Sequence, residues 1–132
     1  MIYKLKKDKN FVLSDLNLAG IYVTKRFSNF FITLTDSNHK VIVCKSAGSA
    51  GIKGNKKRKT TPQAIETIAL SLNGYFKRYD IKKVNLFIKS RISQHMFALV
   101  QYLLFLNITI VNITTKYALP HSYNKKRSIR RK

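Results

Sequence analysis

Short apolar runs separated by polar residues mark the first half of the chain. From Gly20, β-branched and aromatic residues form runs at 20–24, 30–35 and 41–44. Asp36-Ser37-Asn38-His39 supplies turn-forming residues between the second and the third run. Runs of this kind joined by a short polar connection predict a β-hairpin, and the preceding run extends it to a three-stranded antiparallel meander.

The second half of the chain changes to a helical period. Apolar residues recur at intervals of three and four after Pro62, which predicts an amphipathic helix whose stripe holds Ile65, Ile68, Ala69, Leu72, Tyr75, Phe76 and Tyr79. Val84 to Ile88 predicts a short buried strand, and Ser93 is the expected cap of a second helix. Along that helix the predicted stripe is Met96, Leu99, Val100, Leu103 and Leu106, widened by Phe97, Leu104 and Phe105. Ile108 to Ile113 predicts the last strand.

These elements predict an α/β fold in which a three-stranded antiparallel meander is followed by helix, strand, helix and strand. Strands that alternate with helices require parallel pairing, so the expected sheet is mixed and five-stranded, with the helices packed on it. The order resembles the ribonuclease H-like topology. We expect an N-terminal arm at 1–19, one domain at 20–119 and a basic tail at 120–132 that is disordered when free.

The charge balance points to a polyanionic partner. Among 132 residues, 26 are Lys or Arg and five are Asp or Glu, which gives a formal net charge of +21. A compact chain with this charge repels itself unless an anionic partner neutralises it. Nucleic acid is the first candidate and an anionic membrane surface is the second. The N-terminus shows neither a signal-peptide nor a transit-peptide pattern, so we expect the protein to start folding where it is made.

Residues 46–61, which we call the basic loop, combine glycines with cations. Gly48, Gly51 and Gly54 allow positive φ and close approach of the backbone to another molecule. The cations follow as Lys53, Lys56, Lys57, Arg58 and Lys59, and Thr61 with Pro62 forms a helix-start signal. The loop lacks the Gly-Lys-Ser/Thr ending of a P-loop and the spacing of a dinucleotide-binding turn. It therefore predicts a phosphate-binding surface without a nucleotide site.

Candidate catalytic groups are few. The acidic residues are Asp8, Asp15, Asp36, Glu66 and Asp80, the histidines are His39, His95 and His121, and none has metal-ligand spacing. The single cysteine, Cys44, is predicted to be a small apolar strand residue. We expect no enzyme activity, no metal and no cofactor. A metal-dependent nuclease using Asp36 and Glu66 remains an alternative, although the first strand carries no carboxylate.

A membrane interpretation of residues 96–113 is the other alternative, because this run is rich in Leu, Ile, Phe and Val. Gln101, Asn107 and Asn112 interrupt it, and a spanning helix needs about 20 predominantly apolar residues. A buried helix followed by a buried strand fits the spacing better.

A spaced set of motifs resembles one known family. Ser-Ala-Gly-x-x-Gly-Ile-Lys-Gly at 46–54, a basic run, Thr61-Pro62-Gln63-Ala64, and Leu119-Pro120-His121 before a basic tail are similar to the universal eleventh protein of the small ribosomal subunit. The resemblance covers about residues 20–132. It implies a ribonuclease H-like fold without nuclease activity, located on the platform near the messenger RNA exit and E site. It also implies small-subunit rRNA, neighbouring ribosomal proteins and nearby mRNA as partners, and no membrane.

The sequence departs from this family pattern in four places. The basic loop is two residues longer, and Ser90 to His95 replaces a Gly-rich turn. Tyr117-Ala118 stands where Thr-Pro is usual, and Ser122-Tyr123 stands where Asn-Gly is frequent. Such drift, together with abundant Lys, Ile, Asn, Tyr and Phe, suggests an organelle-encoded protein. We expect a mitochondrial ribosome, with plastid or bacterial ribosomes as alternatives.

The candidate RNA-binding residues lie in three segments. In the tail, Tyr123 is expected to stack on an unpaired base. The full set is Ser46, Gly48, Gly51, Lys53, Gly54, Asn55, Lys56, Lys57, Arg58, Lys59, Thr60 and Thr61 in the basic loop, Lys89 and Arg91 after the fourth strand, and His121, Tyr123, Asn124, Lys125, Lys126, Arg127, Arg130, Arg131 and Lys132 in the tail.

Overall fold

The computed structural model describes residues 18–54, 56–90 and 93–116. Its strands are β1 (Leu18–Lys25), β2 (Phe30–Thr35), β3 (Val41–Ser46), β4 (Lys83–Ile88) and β5 (Thr109–Thr115). Its helices are α1 (Lys56–Lys59), α2 (Pro62–Arg78) and α3 (Gln94–Phe105). The predicted order of strands and helices is confirmed, with the short helix α1 added inside the basic loop.

The strands form one mixed sheet in the order β3-β2-β1-β4-β5. β1 and β2 are antiparallel, as are β2 and β3, which confirms the meander. β4 pairs in parallel with β1 on one side and with β5 on the other. Because each parallel step needs a crossover, α2 leads from β3 to β4 and α3 leads from β4 to β5. The hairpin between β2 and β3 closes at Asp36, whose amide donates to the Lys40 carbonyl at 2.8 Å.

Helix α2 begins and ends as its sequence predicts. The Thr61 hydroxyl accepts a hydrogen bond from the Ala64 amide at 3.3 Å, and Pro62 occupies the first turn. At the other end, Asp80 adopts a φ of 47°, and the Ile81 amide donates to the Phe76 carbonyl at 3.0 Å. This bond closes the last turn in the manner of a Schellman motif. Tyr79 is therefore the C-cap and is 51% exposed, so its predicted place in the buried stripe is wrong.

Helix α3 buries a narrower stripe than its sequence predicts. Met96, Leu99 and Leu103 are buried, and Val100 and Leu106 pack partly against the core. The predicted widening of this stripe is wrong, because Phe97 is 63%, Leu104 55% and Phe105 79% exposed. The helix lies over only one face of a sheet of five strands, so a fully apolar circumference cannot all be covered.

Ser93 caps α3 by position but not by its side chain. The residue is the N-cap, yet its hydroxyl makes no bond to the first-turn amides. The hydroxyl lies instead 3.2 Å from Nδ1 of His95.

The core lies between the sheet and the two long helices. Alternate residues of the strands face these helices and are buried, including Ile21, Val23, Ile32, Leu34, Val84 and Leu86. They pack with the buried stripes of α2 and α3, which contact each other. Cys44 lies in β3 as predicted, but it is exposed, and the Thr33 hydroxyl donates to its sulfur at 3.3 Å.

Among the described residues, no helix is long and apolar enough to cross a membrane. The run at 96–113 is divided by a turn at Asn107, where φ is 59°, so that α3 ends at Phe105 and β5 begins at Thr109.

Gly20 provides a test of the sheet packing. A Cβ at this position would lie 2.5 Å from Oγ1 of Thr35, whose hydroxyl donates to the Gly20 carbonyl at 3.2 Å. We expect Gly20→Ala to destabilise the fold by about 1–3 kcal/mol, because Thr35 is buried and has little room to move.

Urea unfolding measures this free energy. Adding Thr35→Ala removes the clashing oxygen, so the double variant should be more stable than Gly20→Ala alone. If the losses of unfolding free energy from the two single substitutions simply add in the double variant, a steric clash between the added Cβ at position 20 and Oγ1 of Thr35 is not the cause of the destabilisation.

Candidate nucleic-acid interface

The start of the basic loop is a folded turn. The Ala50 amide donates to the Ser46 carbonyl at 3.0 Å, and the Ile52 amide donates to the Ala47 carbonyl at 3.0 Å. The Ser49 hydroxyl accepts from the Ser46 amide at 2.7 Å. Ala47 is fully buried, and Ala50 and Ile52 pack partly against the core. These contacts fix the position of the loop relative to the sheet.

Two of the three loop glycines have the backbone conformation that favours glycine. Gly51 adopts a φ of 89° and Gly54 a φ of 121°, conformations that other residues rarely accept. Gly48 does not adopt positive φ, so the freedom that glycine allows is not used at this position. Gly48 is exposed, and its carbonyl accepts from the Gly51 amide at 3.1 Å, so it takes part in the folded turn.

The cationic part of the loop is helical. Lys56 to Lys59 form α1, which connects to α2 through Thr61. The Thr61 hydroxyl donates to the Arg58 carbonyl at 3.1 Å while it accepts from the Ala64 amide, so one side chain joins the two helices. Lys53 and Arg58 are exposed, and Lys59 is half-buried. Residues 46–61 therefore connect the hairpin strand β3 directly to helix α2.

The sheet gathers further cations beside this loop. β1, β3, β4 and β5 all end at the same edge of the sheet, because Ser46 pairs with Phe31, Lys25 with Phe30, and Thr115 with Ile88. We call this edge the basic edge; the Lys and Arg residues at it are Lys25, Arg26, Lys53, Lys56, Lys57, Arg58, Lys59, Lys89 and Lys116. The connections at this edge, 26–29, 47–61 and 89–93, contain no Asp or Glu. Both α2 and α3 begin there, which adds positive helix ends.

The structure places the basic loop and Lys89 at this one edge. It also adds Lys25, Arg26 and Lys116, which the sequence analysis did not select. Lys89 is exposed, its amide donates to the Val23 carbonyl at 2.9 Å, and the Lys116 amide donates to the Ile88 carbonyl at the same distance. The rule that parallel strands carry their sites at their carboxyl ends could have found these residues.

Asn29 is a further residue that sequence reasoning missed. Its Oδ1 accepts from the Phe30 amide at 2.9 Å and from the Ala47 amide at 3.3 Å. The Arg26 amide donates to the Asn29 carbonyl at 2.8 Å and closes the β1–β2 connection as a turn. One amide side chain therefore ties this turn to the base of the basic loop.

Asn29 can be tested with two substitutions. Asn29→Ala removes the shared acceptor and leaves two backbone N–H groups without it, so we expect a loss of about 1–2 kcal/mol in unfolding free energy. Asn29→Asp retains the acceptor oxygen and should keep most of that stability.

The aspartate adds a negative charge to the basic edge, so it should still weaken nucleic-acid binding. Urea unfolding and filter binding measure the two effects separately. If Asn29→Ala has the same free energy of unfolding as the unchanged chain, the hydrogen bonds of the Asn29 side chain do not stabilise the connection between this turn and the basic loop.

Several predicted site residues lie outside the described residues. They are Asn55, Arg91 and the tail set from His121 to Lys132. Ser46, Thr60 and Thr61 lie within the folded connection, where Thr61 has a capping role and Ser46 ends β3. Ser46 is further occupied by hydrogen bonds with Ser49.

The described chain offers no assembled metal site. Within residues 18–54, 56–90 and 93–116, no three His, Cys, Asp or Glu residues approach closely enough to hold an ion. Asp36 lines a cleft of about 330 Å³ with Lys40, Val41 and Tyr79, and the other described residues of that lining are not acidic. Its Oδ1 accepts from the Ser37 amide at 2.7 Å, which is a turn-forming role. His39 lies in that hairpin turn and His95 in the first turn of α3, as predicted.

A mixed sheet with cations gathered at one edge defines an α/β protein of the polyanion-binding class. The family model of ribosomal protein S11 matches residues 19–131. The chain therefore belongs to the ribosomal protein S11 family, and it is a structural protein and not an enzyme. The predicted family resemblance is confirmed.

Curated relatives are similar in sequence to this chain over most of their length. The chain is 31% identical over 117 residues to the small ribosomal subunit protein uS11 of Orientia tsutsugamushi (strain Boryong), covering 89% of this chain and 86% of the relative. It is 30% identical over 124 residues to uS11 of Ehrlichia chaffeensis, with 92% and 90% covered. A third relative, uS11 of Methylococcus capsulatus, is 30% identical over 111 residues, with 84% of each chain covered. These three relatives are bacterial.

Proposed function

We propose that this protein is a structural component of the small ribosomal subunit that binds small-subunit rRNA through its basic edge. The gathering of the basic loop, Lys25, Arg26, Lys89 and Lys116 at one edge is the observation that supports this most. Phosphate contacts fix a protein on RNA by charge, and rigid connections fix the geometry of those contacts. The tail at 121–132 adds six further Lys and Arg residues to the charge available for phosphates.

The surface formed by α3 and β5 suits neighbouring ribosomal proteins. Residues 93–115, which include α3 and β5, contain no Lys, Arg, Asp or Glu, although the whole chain carries 26 Lys and Arg. Phe97, Leu104 and Phe105 are exposed there. A surface without cations gains nothing from phosphate neutralisation, whereas exposed apolar groups favour a protein neighbour.

The position that we propose is the platform, near the messenger RNA exit and E site, with mRNA close by. This position rests on the family membership and on the loop motif at 46–54. The abundance of Lys, Ile, Asn, Tyr and Phe, together with the drift from the family pattern, favours an organelle-encoded protein, and we propose a mitochondrial ribosome before a plastid or bacterial one. Sedimentation of the tagged protein with mitochondrial small subunits tests the ribosomal function and the mitochondrial origin. Recovery of the protein only in fractions without small subunits would refute the ribosomal function.

Salt dependence tests the electrostatic part of the proposal. If about eight phosphates are contacted, the logarithm of the association constant for small-subunit rRNA should fall with the logarithm of salt concentration at a slope of about −6 to −7. Filter binding across a series of salt concentrations measures this slope. A slope near zero would show that phosphate neutralisation does not drive binding.

A further inference from the structure

Phe27 is unusually exposed for a large apolar residue. It lies in the connection between β1 and β2, and its exposed fraction is 95%. Burying a phenylalanine side chain stabilises a fold, and Phe27 does not contribute in this way because its ring is in solvent. The exposed ring is therefore available for contact with a binding partner.

The turn that carries Phe27 is rigid. The Arg26 amide donates to the Asn29 carbonyl at 2.8 Å, which closes the chain around Phe27 and Ser28. Asn29 is fixed in turn by its bonds to the Phe30 and Ala47 amides. Phe30 is fully buried directly after this turn. The ring of Phe27 is thus presented from a fixed backbone and not from a loose segment.

Its surroundings match nucleic acid in charge. Lys25 and Arg26 precede it, and the bond from the Ala47 amide to Asn29 places the turn directly beside the basic loop. The 26–29 and 47–61 connections contain no carboxylate. Lys25 has its ammonium 5.8 Å from the Phe30 ring centroid, which holds it at the foot of the turn. An aromatic ring among cations is the arrangement that single-stranded nucleic-acid sites use, with cations on the phosphates and the ring on a base.

We propose that Phe27 is a stacking site for one unpaired base of the small-subunit rRNA. This inference rests on the proposed function and adds a contact that is apolar and independent of salt. Its occupant is an unpaired base and not a base pair, because a base inside a helix has both faces covered by its neighbours. Phe27 is also distinct from the tail, where Tyr123 is the predicted stacking residue.

The chain contains no tryptophan, so Phe27→Trp introduces a single fluorescent reporter. We expect its emission to be quenched when the full chain binds a small-subunit rRNA transcript, and to be unchanged by a fully base-paired RNA duplex that is bound to the same occupancy. Phe105→Trp is the matched control, since Phe105 is also an exposed phenylalanine and lies at the end of the charge-free helix α3 that is away from the basic edge. Its emission should not be quenched by the transcript.

Phe27→Leu measures the contribution of the ring to affinity. Loss of one stacked base should weaken binding by about 5- to 150-fold. The salt slope should stay as in the unchanged chain, because no phosphate contact is removed. The free energy of unfolding should also stay the same, since the ring is exposed.

Two results would refute the stacking site: unquenched emission of Phe27→Trp at saturating transcript, or full affinity of Phe27→Leu. Quenching of the Phe27→Trp emission only in assembled subunits, and not by rRNA alone, would also refute it and would assign the ring to a protein neighbour. If the unchanged chain itself shows no salt-dependent rRNA binding, the proposed function fails instead. The two failures are therefore distinguishable.

Discussion

Replacing Lys53, Lys56, Lys57, Arg58 and Lys59 with glutamine is expected to lower the affinity for small-subunit rRNA about 100- to 1,000-fold at about 0.15 M salt. Each lost phosphate contact removes about 0.7 from the salt slope, so about five contacts make the slope less steep by about 3.5. Filter binding at several salt concentrations gives both quantities.

The control removes the same charge from the other end of the sheet. Lys40, Lys77, Arg78, Lys82 and Lys83 lie at or next to the hairpin turn, the end of α2 and the start of β4. Acidic residues Asp36 and Asp80 lie among them, and Asp80 pairs with Lys82 at 3.4 Å. Glutamine at these positions should change the slope by less than about 1. Equal losses in the two variants would mean that net charge, and not the basic edge, controls binding.

Leu86→Ala is expected to reduce the free energy of unfolding by about 3 kcal/mol, within a range of roughly 2–5 kcal/mol. Leu86 lies in β4, is fully buried and faces the helices from the inner part of the sheet. The loss is a large fraction of the total stability of a typical domain. The charge of +21 leaves less stability to lose at low salt, because self-repulsion already disfavours the compact state.

Leu70→Ala provides the matched control. Leu70 lies on α2 but is 57% exposed, and the same substitution there should change stability by no more than about 0.5 kcal/mol. Urea unfolding of both variants in the absence of RNA measures the difference. Comparable losses at the two positions would contradict the placement of the core between the sheet and the helices.

The positions of the elements could be predicted because their signals are local. Thr61 and Pro62 mark the start of α2, and the alternation of Val84, Leu86 and Ile88 marks a strand with one buried face. Capping and side-chain periodicity act between residues close in sequence, so a single sequence contains them. Asp80 and Asn107, which follow the ends of α2 and α3, adopt the left-handed backbone conformation. This was not predicted, because neither residue is the glycine that usually marks such an end.

The candidate site could be predicted only in part. The basic loop is continuous in sequence, and its motif also carried the family assignment. Lys25, Arg26 and Lys116 lie far from it in sequence, and only strand pairing brings them to the same edge. Asn29 gave no signal of its own, because its role is to accept a bond from Ala47, a residue of another connection.

The sequence by itself determined the order of strands and helices, the excess of cations and the basic loop, because these properties depend on residue type and spacing. The tertiary structure decided which faces stay exposed and which cations share an edge. Burial depends on how much of each helix the sheet can cover, which is why Phe97 and Phe105 are exposed in spite of their type. Phe27 belongs to no periodic run, so its sequence position alone gives no sign of a binding role. Only the tertiary structure shows that it is exposed beside the basic loop.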